Sequence, residues 1–240
     1  MFDGKLDKSK IQQVCGALVH GKPLDKEINP SYWVKPIQER RVHLMKIPNE
    51  PIFKMCKSVY VDNFFEQGKL QLGSFNYYNS FDHDEIGDKT EGEVVLIAQD
   101  KKGTACGKFG GGYNSLVFCA YAGKPEQSTL NKFGYDSGFK IIDPEKFAEA
   151  IHASVASISY EYAMCNYSKH KAIMGYPKNG INRQTISSET IKMVNSAQYY
   201  IKPDRYSHQK EFRFLWDTGR ECLLPIVIEC PEAKKYCERI

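Results

Sequence analysis

Stretches in which apolar and polar residues alternate, or in which a short apolar run is bounded by turn residues, recur along the chain. Both patterns are typical of β-strands. Strands are predicted in nine such stretches: RRVHLMKIP, PIFKMCKSVY, KLQLGS, EVVLIAQ, SLVFCAYA, SGFKIID, VASISYEYA, KEFRFLW and CLLPIVIE.

A second spacing, with apolar residues three and four positions apart, predicts amphipathic helices. Helices are predicted over residues 7–21, 61–67, 144–152 and 187–200. Asp62 is a candidate N-cap for the second of them, and Gly68 is positioned to end it. Asp143 followed by Pro144 is the usual opening of a helix, and it marks the start of the third.

The order of these elements predicts the fold class. Strands outnumber helices and do not alternate with them regularly, which favours an α+β fold. We therefore expect a single domain with a split, mostly antiparallel mixed sheet and peripheral helices. Residues 1–50 would form an N-terminal helix and a proline-bearing connector, and residues 51–240 the domain, with no glycine-rich linker inside it.

Composition narrows the class of protein. Of the 240 residues, 42% are hydrophobic and 26% are charged, which excludes global disorder. No apolar run approaches the 18 residues of a membrane span, and the first residues lack the apolar core of a secretory signal. Eight scattered cysteines without a C-x-x-C pair favour reduced thiols over disulfides or a zinc site. We expect a cytoplasmic protein without a membrane partner and without a metal.

Three motifs suggest ligand binding or catalysis at first sight, but none meets the requirements of its class. The segment GTACGKFGGGYN is one residue short of a phosphate-binding loop and is followed by a strand, so we expect a mobile hairpin loop. The acidic stretch DHDEIGDKTEG lacks the frame of a calcium loop, and we expect Asp88 and Glu91 to be solvated. No G-x-S-x-G elbow is present to support a serine nucleophile.

The informative segment is KPDRYSHQKEFRFLW, residues 202–216. Strand alternation would place Gln209 and Glu211 on one face, with His208 on the opposite face at the surface. Tyr206 precedes Gln209 by three residues, in the loop that enters the strand. Tyr206, Gln209 and Glu211 are the candidate site residues of this segment.

Aromatic-x-x-Gln-x-Glu resembles the turn-turn loop of mono-ADP-ribosyltransferases of the Arg/Ser-Thr-Ser/Glu class. The resemblance implies a domain of that fold with NAD as co-substrate. It implies that Glu211 holds the nicotinamide ribose and stabilises the oxocarbenium-like transition state, while Gln209 and Tyr206 help to select the acceptor.

The order of segments from about residue 52 to 216 also resembles a broader ADP-ribosyltransferase-like set, which includes DarT-like toxins and an uncharacterised bacterial and phage family. In place of the arginine on the family's first strand the chain has Lys54 and Lys57. Which of the two points inward is open, and we expect their strand to line the same cleft as Glu211. In place of the family's Ser-Thr-Ser strand the chain has SLVFCAYA, in which only Ser115 or Cys119 could take the role of those residues.

Tyr77 and Tyr78 are candidates to stack on nicotinamide, with core packing as the alternative. The resemblance implies a protein or nucleic-acid acceptor in a toxin, antiphage or phage-effector role, with an antitoxin or inhibitor as a further partner.

Three alternatives stay open. Glu211 and Arg213 would form an exposed same-face ion pair at a sheet edge if their role were structural. The second alternative is a protein that binds or processes nucleic acid. Its aromatic residues and the basic pairs Arg40-Arg41 and Lys101-Lys102 would contact the nucleic acid, consistent with a net charge of +4. A catalytically inactive interaction module is the third alternative.

Overall fold

The computed structural model describes residues 42–83, 85, 87–100, 103–169, 171–175, 194 and 197–240. The helix predicted over residues 7–21 and the two basic pairs lie outside the described residues. Of the helix predicted over 187–200, the described residues Val194 and 197–200 are helical.

Thirteen strands and four α-helices are described. The strands are β1 (Ile52–Cys56), β2 (Lys69–Ser74), β3 (Glu93–Asp100), β4 (Gly103–Gly110), β5 (Ser115–Ala122), β6 (Ser137–Ile141), β7 (Ser159–Met164), β8 (Asn166–Ser168), β9 (Ala172–Gly175), β10 (Ile201–Pro203), β11 (Glu211–Asp217), β12 (Ile226–Glu229) and β13 (Cys237–Arg239). The helices are α1 (Ser58–Gln67), α2 (Phe75–Ser80), α3 (Gln127–Phe133) and α4 (Pro144–Val155), with 3₁₀ helices at Asp204–Gln209 and Pro231–Tyr236.

The described residues group into two compact units. The main unit contains residues 43–91, 112–165 and 206–240, and the small unit contains described residues from 92–111 and 166–205. In the small unit β3 pairs with β4 antiparallel and with β9 parallel, and β8 pairs with β10 in parallel. Apolar side chains of β3 and β9 are buried on both faces of this three-stranded sheet.

The main unit is built on an eight-stranded sheet with β5 at its centre. Strand β11 pairs along one edge of β5 from residue 115 to 121, and β7 pairs with β11 on its other side. The opposite edge of β5 is shared, because β2 pairs with Leu116 and Val117 while β1 pairs with Tyr121 and Ala122. The sheet is therefore split into two branches, β2–β12 and β1–β6–β13. All strand pairs recorded in it are antiparallel, and the predicted α+β class with a mostly antiparallel sheet is confirmed.

One face of this sheet carries the hydrophobic core. Helices α1 and α4 and the second 3₁₀ helix pack there, and the Phe214 ring lies 5.4 Å from the Phe147 ring of α4. The indole N–H of Trp216 donates to the carbonyl of Ala148 at 3.0 Å, so the tryptophan is satisfied within the core. The predicted start of α4 is confirmed, with Asp143 accepting from the amide of Lys146.

Three predictions of local structure are wrong. Helix α1 begins at Ser58 rather than after Asp62, because the Asp136 carboxylate accepts from the Ser58 amide at 2.7 Å and satisfies the helix N-terminus. Residues 103–110 form β4 instead of a loop, since each of them pairs with β3. No strand is described within 42–48, the described part of the run RRVHLMKIP.

Candidate active site

Strand β11 has charged side chains on one face and apolar core side chains on the other. Phe212, Phe214 and Trp216 alternate with Glu211 and Arg213, so the two charged side chains lie on the face opposite the core. Both are buried, with side-chain exposures of 5% for Glu211 and 1% for Arg213. Strand β11 lies between β5 and β7, so the expected exposed ion pair at a sheet edge is wrong, although the same-face pair itself is present.

Arg213 joins two carboxylates from distant parts of the chain. Its Nε donates to Glu211 Oε1 at 2.7 Å, and its Nη1 donates to Glu91 Oε1 at 2.8 Å. Burial alone would lower the pKa of the guanidinium, but the carboxylates of Glu211 and Glu91 offset burial and the net shift of the Arg213 pKa is upward. With all three groups ionised the cluster carries a formal charge of −1, which favours a ligand that develops positive charge.

Helix α2 covers this cluster from the side. Its N-cap Ser74 accepts from the amide of Tyr77, and its first residue, Phe75, is fully buried with its ring centroid 5.5 Å from the Arg213 guanidinium carbon. A cation held over an aromatic face in a desolvated site is stabilised by the ring quadrupole. The helix therefore fixes the guanidinium from a direction that the strand does not supply.

Tyr78 of α2 lies against the backbone of β2. A Cβ at Gly73 would lie 2.4 Å from the Tyr78 hydroxyl, so a side chain at that position is incompatible with this placement. Desolvation raises the pKa of Tyr78 well above its usual value, and the neighbouring Cys119 and Glu211 raise it further, while Arg213 lowers it. Tyr78 is thus a neutral hydroxyl close to the Glu211 carboxylate.

Tyr135, which follows α3, faces the same region. Burial raises its pKa, and the nearby thiols of Cys119 and Cys56 and the hydroxyl of Tyr77 add to the shift. Its ring stacks on Phe133 at 5.0 Å, and Phe133 lies edge-on to Tyr121, which is directly opposite Glu211 in the sheet. Aromatic side chains from α2 and from the end of α3 therefore meet near the carboxylate.

Tyr206, Gln209 and His208 contact the acidic stretch rather than lining the strand. The Tyr206 hydroxyl donates to the Gly87 carbonyl at 2.7 Å, and Gln209 Nε2 donates to the Glu85 carbonyl at 2.8 Å. Gln209 ends the 3₁₀ helix, and Lys210 has a φ of +39°, so β11 starts only at Glu211. The expectation that Gln209 shares a strand face with Glu211 is wrong for that reason.

His208 Nε2 lies 2.7 Å from Glu85 Oε2, and 29% of its side chain is exposed, so His208 is partly exposed and contacts that carboxylate. Burial raises the pKa of Glu85, but the contacts with His208, Gln209 and Lys132 together outweigh burial, and the net pKa of Glu85 is lowered. Asp88 and Glu91 are 2% and 3% exposed, and the prediction that they are solvated is wrong.

Lys54 and Lys57 lie in different elements: Lys54 is within β1, and Lys57 follows β1 at the start of α1. Phe53 is in register with Tyr121, and Tyr121 with Glu211, so β1 lies two strand spacings, about 10 Å, from β11 at this level. The register puts Lys54 on the core face, where its Nζ donates to the carbonyl of Cys119 at 2.9 Å and lies 4.6 Å from the Phe118 ring. Lys57 is exposed and occupies the N-cap position of α1.

Ser115 is buried at the start of β5, opposite Asp217. Six residues separate it from Tyr121, or about 20 Å along the strand, so the structure does not bring it to Glu211. Tyr77 packs edge-on to Tyr78 at 5.6 Å and tilted on Phe81 at 4.9 Å. Cys119, the other stand-in, lies directly opposite Arg213 on the charged face.

Comparison of the chain with protein-family models, with curated proteins and with solved structures finds no match. Within the described residues, no helix is both long and apolar enough to cross a membrane. The described part of the chain also has no group of three or more histidine, cysteine or acidic side chains arranged to hold a metal ion.

Sequence reasoning missed two members of this site. Glu91 lies 122 positions before Arg213, within a stretch whose composition is that of a solvated turn, and no local pattern reveals its partner. Tyr135 stands between α3 and β6, outside any recognisable motif. A buried arginine needs a carboxylate partner, but Glu211 already meets that need, so the sequence carries no signal for Glu91.

Proposed function

We propose that the chain transfers ADP-ribose from NAD to a macromolecular acceptor, a protein or a nucleic acid, with Glu211 as the catalytic carboxylate. The observation that carries the proposal is a buried carboxylate at the first residue of a central strand, held by an arginine and accompanied by a second carboxylate. The toxin or antiphage setting is part of the proposal and follows from the family that the sequence resembles.

The proposed reaction needs a stabilised cation. The bond between the ribose C1′ and the nicotinamide nitrogen breaks, and its electron pair leaves with nicotinamide. Positive charge then develops on the ribose, where the Glu211 carboxylate offsets it through a contact stronger in the transition state than in the ground state. The acceptor nucleophile bonds to C1′ and gives up its proton, which completes the transfer.

The other residues have narrower parts in this proposal. Tyr78 stands beside Glu211 and Tyr77 packs edge-on to Tyr78, so the two rings are the candidates to stack on nicotinamide. Lys57, exposed at the start of α1, is suited to offset pyrophosphate charge, whereas Lys54 would act only through β5, whose backbone it holds. Tyr206 and Gln209 would influence the acceptor by fixing the backbone at Gly87 and Glu85, to whose carbonyls they donate.

A second candidate function is an inactive interaction module, such as an inhibitor. Lys54 favours it, because the cation in the position of the family's first-strand arginine is engaged by a backbone carbonyl on the core face. In that case the cluster of Glu211, Arg213 and Glu91 is purely structural.

The test is incubation of the protein with labelled NAD and a cell lysate, for the wild type and for Glu211→Gln. Gln keeps the shape of the side chain and an acceptor for Arg213 Nε, so the melting temperature should change by only a few degrees. Transfer should fall about a hundredfold or more, because one electrostatic contact of the transition state is lost. Label recovered in protein indicates a protein acceptor, and label recovered in nucleic acid indicates a nucleic-acid acceptor.

Glu66→Gln, on the exposed side of α1, is the matched control, and it should leave both melting temperature and transfer unchanged. Gln209→Ala should lower transfer more than NAD cleavage. If the wild-type protein neither cleaves NAD nor transfers label, or if Glu211→Gln turns over NAD at the wild-type rate, the transferase proposal is wrong and the interaction module takes its place.

A further inference from the structure

We propose that Glu91 is a positioning residue for Glu211 and acts on it through Arg213. This inference rests on the proposed function, and it concerns a residue that carries no sequence motif. Glu91 would not touch substrate. It would fix the guanidinium that fixes the catalytic carboxylate, and so determine both the direction and the ionisation of Glu211.

The geometry is a chain of two hydrogen bonds. Two different nitrogens of one planar guanidinium each donate to a carboxylate, Nε to Glu211 and Nη1 to Glu91. Because both bonds are charge-assisted and the exposure of all three side chains is 5% or less, water competes weakly with either bond. A rotation of Arg213 that lost Glu91 would also displace the nitrogen that holds Glu211.

The backbone around Glu91 is itself anchored. Asn79 Nδ2 donates to the Glu91 carbonyl at 3.1 Å, and the Glu91 amide donates to the Asp88 carbonyl at 2.8 Å. The Asp88 carboxylate accepts from the amide and the hydroxyl of Thr90, and the Asp88 amide donates to the Tyr78 carbonyl. Glu91 is therefore attached to helix α2, the helix that also places Phe75 under Arg213.

The charged and titratable groups around Glu211 and Arg213 come from five parts of the chain. Arg213 shares the strand of Glu211, Glu91 comes from the acidic stretch, Tyr78 from α2 and Cys119 from β5, while Cys165 follows β7 and influences Arg213. Burial raises the pKa of Tyr78, the neighbouring Cys119 and Glu211 raise it further, and Arg213 lowers it. Arg213 is thus the positive charge that favours the Glu211 carboxylate, and Glu91 is a second carboxylate on the same guanidinium.

The kinetic test compares Glu91→Gln with the wild type in NAD cleavage. Gln is nearly isosteric and still accepts from Arg213, so the fold should be kept. We expect kcat to fall by about tenfold with KM within about twofold of the wild type, because a slightly misdirected Glu211 loses transition-state contact rather than binding. In a Glu211→Gln background the same change should have no further effect on kcat.

The sign of the pH effect separates positioning from a merely structural role. Removal of the Glu91 charge leaves Arg213 to act on Glu211 alone, so the pKa of Glu211 should fall and the acidic limb of kcat/KM should move to lower pH. Arg213→Lys removes the Nε hydrogen bond to the carboxylate, so this limb should move to higher pH. Glu93→Gln, which removes a carboxylate paired with Lys108, is the control and should move neither kcat nor the limb.

The Glu211 titration is also measurable without activity, by carbon NMR of protein labelled at the glutamate carboxyl carbon. A Glu211 pKa that is lowered in Glu91→Gln and raised in Arg213→Lys supports the inference even if the wild type proves unable to cleave NAD, in which case only the proposed function fails. A Glu211 pKa that is the same in Glu91→Gln and the wild type, or a wild-type kcat for Glu91→Gln, overturns the inference.

Discussion

The two faces of strand β11 are buried to the same degree by opposite means. On one face Phe212, Phe214 and Trp216 are fully buried among other rings, while on the other Glu211 and Arg213 are 4% and 1% exposed. Apolar burial is favourable wherever the shapes fit, since it depends on area and not on direction. Buried charges are tolerated only if each finds a partner in good geometry, which makes the second face dependent on a few specific contacts.

This comparison predicts where the molecule is fragile. The core face should respond to lost volume and be indifferent to pH, whereas the charged face should respond to lost charge in a pH-dependent manner.

The largest effect is expected for Phe214→Ala on the core face. The ring contacts four other aromatic rings within 6 Å, those of Phe212, Phe147, Tyr162 and Trp216, so its removal leaves a cavity that they cannot close. We expect a loss of about 4 kcal/mol in the free energy of unfolding, measured by urea denaturation and equal at pH 5 and pH 8. Tyr113→Ala, at an exposed aromatic, should cost less than about 1 kcal/mol.

The next largest effect is expected for Arg213→Met on the charged face. Met fills similar space but leaves the Glu91 and Glu211 carboxylates buried without their shared partner, at a cost of about 3 kcal/mol at pH 8. A buried carboxylate without a cation is more costly than a buried neutral carboxyl group. The folded variant takes up protons as the pH falls, so the loss should shrink between pH 8 and pH 5.

The matched control for that substitution is Lys108→Met, which breaks the exposed ion pair between Lys108 and Glu93. The N–O distance of this pair, 2.6 Å, is similar to the distances in the buried cluster. Half of the lysine side chain is exposed, and the change should cost no more than about 0.5 kcal/mol. If Arg213→Met proves as mild as Lys108→Met, or equally severe at pH 5 and pH 8, the account of the charged face is wrong.

The smallest effect is expected for Glu85→Gln, in the contact between the acidic stretch and the 3₁₀ helix. The pKa of Glu85 is lowered in the folded protein, so its ionised form contributes stability above the unfolded pKa, and this contribution is lost as the pH falls through the folded pKa. Glu85→Gln should therefore lower the melting temperature at pH 7 and leave it unchanged at pH 3. A deficit of equal size at both pH values would show that the His208 contact does not depend on charge.

Elements with a strong local signal were predicted well from the sequence. Pro144 behind Asp143 opens α4, Gly68 ends α1 with a φ of +73°, and β5 and β11 span the predicted apolar runs. In each case the determining interaction joins residues that are close in the sequence, such as a cap to its own helix or alternating side chains to one strand.

Where the prediction of an element was wrong, the residue that determines the element lies far away in the sequence. Helix α1 starts at Ser58 because Asp136 accepts from its amide 78 positions later in the chain, and Asp62, the expected cap, instead pairs with Arg239. The glycine-rich run 103–110 became a strand through pairing with β3, which its own composition does not favour. Strand β12 covers only Ile226–Glu229 of the predicted run CLLPIVIE, and Leu223 and Leu224 before it are exposed.

The sequence by itself determined the α+β class, the strand that carries Glu211 and its same-face neighbour Arg213, because strand periodicity is a local property. Only the tertiary structure decided that this face is buried, that Glu91 completes the cluster, and that Lys54 belongs to the core face. The physical reason is that a buried charge is stabilised by whichever opposite charge the fold brings within hydrogen-bond distance, and that distance is set by strand register and loop anchoring rather than by spacing along the chain.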